Sequence, residues 1–181
     1  NPTSLWSLGE DTVTTGDGAT PLHTAVLRKD KVMVNVLLNR DADPFVQSYT
    51  PITTLHHGFT ATTQSYTAAS FTAPVEATAV CPLVLAILRA DIGCVETFLS
   101  HTSSSSTILA KQNKSLTLPI IHAIVLGNSG ASNKNIDTLR IFEETVLPST
   151  ITSMLGDRDA HGNDALLLAS TSTSVELVTN L

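Results

Sequence analysis

The sequence predicts an all-α fold: a solenoid of short helix–turn–helix repeats with one long insertion between the first two units. Three observations lead there. A block of turn, cap and amphipathic helix at Gly18–Ala25 recurs in weaker form along the chain. Apolar residues make up 42% of the chain, enough to build a core. The stretch 45–80 breaks the recurrence with a composition of its own, nearly uncharged and rich in Thr and aromatics. A length of 181 residues suits one ordinary domain.

The first helical unit is legible residue by residue. Gly18 supplies a turn, Thr20 can accept from free amides as an N-cap, and Pro21 occupies the first helical position, where its missing N–H costs nothing. Leu22, Ala25 and Val26 then form an apolar stripe. A break at Lys29–Asp30 precedes a second stripe at Val32, Val36 and Leu37, and Asp41-Ala42-Asp43-Pro44 closes the unit. Taken together, Thr20-Pro21-Leu22-His23-Thr24-Ala25 and the gap-free run on to Asp43, with Leu37-Leu38 inside it, resemble an ankyrin repeat, whose period is about 33 residues. The resemblance implies a β-turn and two antiparallel helices that cannot bury their apolar face without neighbours.

The same frame finds those neighbours. Pro82-Leu83-Val84-Leu85-Ala86 repeats the core of the motif after Cys81, and Val95, Phe98 and Leu99 fall where Val34, Leu37 and Leu38 fell. A third start is Pro119-Ile120-Ile121-His122-Ala123, with its second helix expected over 136–146. The fourth is Asp164-Ala165-Leu166-Leu167-Leu168-Ala169, with Asp164 as cap and Val175–Val178 opening the outer helix. The units are placed at about 17–44, 79–101, 116–147 and 160–181. Leu5, Trp6 and Leu8 read as the tail of an earlier unit packed on the first. The chain lacks an initial Met and stops inside a periodic apolar segment, so it reads as a fragment of a longer protein.

The insertion, 45–80, holds Phe45, Tyr49, Phe59, Tyr66 and Phe71 but a single formal charge, Glu76. Long loops of this kind are usually functional or disordered, and aromatics with little charge argue against disorder. Either its rings fold back to cover the stack, or they form a finger that recognises a partner, with a short hairpin around 58–67. Two further stretches, 127–135 and His101–Thr107 with its four consecutive Ser, read as solvated surface loops.

Several function classes drop out. Lys and Arg number 10 against 16 Asp and Glu, a net charge of −6, so no basic face exists to neutralise phosphates and nucleic acid is not an expected partner. No run approaches the ~20 apolar residues of a membrane helix, the densest being Cys81–Leu88, and no signal peptide is visible. Cys81 and Cys94 cannot make a disulfide scaffold, which points to a reduced intracellular setting, cytoplasmic or nuclear. His56-His57 has no partners at metal-ligand spacing, and Asp157–Gly162 reads as the turn entering unit four. Asn113-Lys114-Ser115 matches a glycosylation acceptor by chance. Neither a nucleophile elbow nor a phosphate-cradling loop occurs, Cys94 falls at a position normally buried, and no metal, cofactor or catalytic centre is expected.

The resemblance therefore implies a non-enzymatic, monomeric protein–protein interaction module, or alternatively the regulatory domain of a larger enzyme. A partner protein would dock on the concave face of turns and inner helices. Carried over by frame, the contact positions are Thr24, Leu27 and Arg28 in unit one, Leu85, Leu88 and Arg89 in unit two, and His122, Val125 and Leu168 beyond, joined by Tyr49, Phe59 and Tyr66 of the insertion. His23 lies where the family ties neighbouring turns by hydrogen bonds. Weak charging predicts an apolar or hydrogen-bonded interface rather than a steered one.

Overall fold

A computed structural model describes residues 19–49, 79–102, 106–127, 134–159 and 162–171. The chain is mostly helical, and the described residues carry nine helices and one two-stranded ladder. The helices are α1 (Pro21–Leu27), α2 (Lys31–Leu38), α3 (Pro82–Leu88), α4 (Ile92–Thr102), α5 (Ser106–Asn113), α6 (Ile120–Leu126), α7 (Lys134–Thr145), α8 (Pro148–Leu155) and α9 (Ala165–Thr171). Strand β1 (Ser48–Tyr49) runs antiparallel to β2 (Ala79–Val80), with Ser48 opposite Val80 and Tyr49 opposite Ala79.

The helices pack in two rows. In the inner row α1 rests on α3, α3 on α6 and α6 on α9; in the outer row α2 rests on α4 and α4 on α7. The first two pairs, α1–α2 and α3–α4, are built alike. Thr20 and Asp30 cap one pair; Cys81 and Asp91 stand at the same two positions in the other, ten residues apart in each case. Asp30 accepts from the Met33 amide at 2.9 Å and Asp91 from the Cys94 amide at 3.3 Å. The turn between helices repeats as well. Lys29 N–H bonds Val26 O and Asp30 N–H bonds Ala25 O; Ala90 N–H bonds Ile87 O and Asp91 N–H bonds Ala86 O. Each turn needs a left-handed residue, and neither uses glycine: Lys29 has φ 54° and Ala90 φ 49°.

Burial follows the rows. All seven residues of α3 are buried, because α1 and α6 flank it while α4 packs behind. Phe98 and Phe142 fill the outer row, each with 0% exposure. Gly127, which ends α6, sits so close to α3 that a Cβ there would come 2.9 Å from the Ile87 carbonyl oxygen.

Two helices lie where the sequence reading placed connections. His101 and Thr102 finish α4 rather than starting a loop, and Ser106–Asn113 forms α5. The Ser run hid this helix, since its apolar contribution comes from Leu109 with half-buried Ala110 beside it. Helix α8 carries clearer signals: Pro148 at its first turn, then Ile151, Met154 and Leu155 at helical spacing. These two additional helices pack on each other. The expected outer helix of the fourth unit at 175–178, most of the loop 127–135, the hairpin around 58–67 and Leu5, Trp6 and Leu8 lie outside the described residues.

Candidate functional site

The expected contact positions separate sharply by burial. Arg28, the C-cap of α1, is exposed and Thr24 one turn before it is half-buried. Arg89 is the C-cap of α3, equivalent to Arg28, and is half-buried, with Nη2 donating to the Leu27 carbonyl at 3.4 Å. A cation over the last carbonyl of a helix is well placed against its dipole. Leu27 is 8% exposed and forms the floor between the two arginines' helices. Tyr49 belongs to β1, while Phe59 and Tyr66 lie outside the described residues.

Leu85 and His122, both at 0% exposure, belong to the interior, and so do Leu88, Val125 and Leu168. A short helix held between two inner neighbours and an outer partner has no free side, so contact positions carried over by frame alone disappear into the stack. The position of His122 has a second cause. Pro119 is the N-cap of α6, not its first helical residue, so the frame shifts by one relative to α1. That shift puts His122 where His23 stands in the first pair.

The hydrogen bonds show the equivalence. His23 Nε2 lies 3.1 Å from the carbonyl oxygen of Val80, the residue before the Cys81 cap; His122 Nε2 lies 2.9 Å from that of Asn163, the residue before the Asp164 cap. A carbonyl only accepts, so each Nε2 carries the proton. The other ring nitrogens differ. His23 Nδ1 accepts from the Thr20 amide at 3.1 Å and lies 2.9 Å from Thr20 Oγ1, closing a capping box. Pro119 offers neither an amide hydrogen nor a hydroxyl, and His122 Nδ1 is buried without a partner.

Two residues unremarked in the sequence hold the surrounding loops. Gln47, just before β1, spans to the third pair: Nε2 donates to Ser115 O at 3.1 Å, and Oε1 accepts from the Thr117 amide at 3.0 Å and its hydroxyl at 2.9 Å. Its amide thus substitutes for one peptide group of a sheet. Asn113, the supposed glycosylation acceptor, is 0% exposed. Its Oδ1 accepts from the Ile120 amide at 2.7 Å and its Nδ2 donates to Asp157 at 2.6 Å, so it joins α5, α6 and the end of α8. No local pattern marks either residue, because both act across more than forty positions of sequence.

Burial sets the electrostatics. It pushes the Cys81 and Cys94 thiols up to about 12, with Asp91 adding to the effect at Cys94, so both stay protonated and unreactive at neutral pH. Burial also lowers the His23 pKa, against the opposing pull of the Val80 carbonyl. Among the described residues no group of three or more His, Cys, Asp or Glu side chains is placed to hold a metal; His56 and His57 are outside them. The Asp159–Gly162 segment is a turn, with Gly162 at φ 81° and its amide bonded to Asp159 O.

Residues 17–49 match the family model of the ankyrin repeat. The chain carries an ankyrin repeat. The match runs from the turn before Thr20 through both helices of the first pair to the end of β1. No curated protein matches the chain. Ankyrin repeats are generally protein–protein interaction modules and are typically non-enzymatic. No helix among the described residues is long and apolar enough to cross a membrane.

Proposed function

We propose that this ankyrin-bearing chain binds a partner protein across the C-terminal ends of α1 and α3, with residues 50–78 presented beside that surface. One observation carries the reading. Arg28 and Arg89 occupy equivalent C-cap positions on adjacent inner helices, leaving Thr24, Arg28 and Arg89 accessible over a floor of Leu27. Tyr49, Phe59 and Tyr66 are the aromatic anchors proposed for the same partner. In support, β1 and β2 join the two ends of 50–78, and the ladder is braced on one side by Gln47 and on the other by His23. A segment leaving and returning at one braced point is well suited to present a recognition loop. The two buried, protonated thiols suit a reducing compartment, cytoplasm or nucleus.

The test is affinity capture with the intact chain against two variants. Thr24→Glu combined with Arg28→Glu should remove specific partners. Glu143→Lys, on the exposed side of α7, should leave them. Equal capture by both variants would assign binding to another surface.

A further inference from the structure

We infer that the His23–Val80 hydrogen bond is a proton-sensitive latch holding the β1–β2 stem to α1, closed when the imidazole is neutral and released on its protonation. The stem's use in partner binding rests on the function proposed above; the latch itself does not. The inference stands on what surrounds each ring nitrogen. Nε2–H is committed to Val80 O at 3.1 Å, and Nδ1 is the lone pair that receives the Thr20 amide at 3.1 Å. An added proton must go to Nδ1. It would then point at Thr20 N–H, which can only donate, so the capping box opens and the amide loses its acceptor. Thr20 Oγ1 can turn to receive the new proton, but that hydroxyl already accepts the His23 amide.

No neighbouring charge offsets the buried cation. Helix α3 has no ionisable residue, and the one charge on α2 is Lys31, whose Nζ faces Glu96 at 3.4 Å. The ladder contributes Ser48, Tyr49, Ala79 and Val80, none anionic at neutral pH, followed by Cys81 with its protonated thiol. On α1 itself the remaining charges are Arg28 and Lys29, cations at the exposed far end. Desolvation lowers the His23 pKa accordingly. The sign follows: the unfolded imidazole, near 6.5, takes up its proton first, so the latch is intact above that value and weakens as pH falls below it. His122 lacks this conflict, because its Nδ1 faces no donor.

Hydrogen exchange of the whole chain between pH 7.5 and 5.5, corrected for intrinsic rates, reads the latch directly and needs no partner. Protection at Thr20 and at the ladder amides 48–49 and 79–80 should fall severalfold in the wild type, while α6 amides hold. His23→Gln, which keeps an amide donor but cannot titrate, should abolish the pH dependence; His122→Gln should leave it. Flat protection in the wild type, or the same fall in His23→Gln, overturns the inference. If His23→Gln does not fold, imidazole nitrogen shifts of the wild type decide. An Nε2–H tautomer titrating together with the ladder amides supports the latch; a ring titrating without any ladder response rejects it.

Discussion

The junction between the first two helix pairs and the junction between α6 and α9 are closed by the same bond, from an imidazole Nε2–H to the carbonyl before the next cap. What stands behind the ring differs. In the first junction a Thr cap completes the histidine's hydrogen bonding, so ring, cap and stem form one satisfied network. In the second a proline caps the helix, one ring nitrogen is left bare, and stability comes instead from Asn113 reaching in from α5. The same tie between repeats can thus be supported locally, by the residue three positions earlier, or remotely, by an added helix. A local support travels with its motif. A remote one depends on an element the repeat does not contain.

Breaking the remote support should have the largest effect. Asn113→Ala leaves the buried Ile120 amide and one Asp157 oxygen without partners, for a loss of about 2–4 kcal/mol of unfolding free energy in urea. The two histidines sharpen the contrast. His23→Leu orphans Val80 O and the Thr20 amide and should cost about 2–3 kcal/mol; His122→Leu should cost about 1 kcal/mol. The smaller cost arises because Asn163 O still accepts from the Asp159 amide at 3.0 Å and no Nδ1 partner is lost. Equal losses in paired denaturant melts would mean that the Thr20 network adds nothing. The smallest change tests the shared turn: Ala90→Gly relieves a left-handed alanine and should raise stability by about 0.5–1 kcal/mol, visible as a rise in Tm.

How much of this was legible depends on how local each cause is. Thr20, Pro21 and His23 act within one helical turn, and Asp30 caps the helix that begins beside it, so the first pair was readable from spacing. Pro82 and the stripe of Val95, Phe98 and Leu99 marked the second pair for the same reason. Helix α5 escaped because four serines carry no apolar period, and its helical state depends on packing against α8. The role of His122 escaped because proline serves equally before a helix and at its first position, and only the observed cap decides between them.

By itself, the sequence determined the caps, the helix starts, the inertness of two thiols in an apolar frame and the place where a long insertion leaves the repeat. These are matters of propensity, hydrogen bonding within a turn and composition, and each is settled within a few residues. Only the tertiary structure decided which positions on the inner helices remain accessible, since Leu27, Leu85 and His122 are covered by neighbouring helices and Arg28 is not. It alone paired α5 with α8 and placed Gln47 and Asn113 across their junctions. Burial in a stack is a property of adjacent elements, and a repeat motif describes its own surface only until its neighbours cover it.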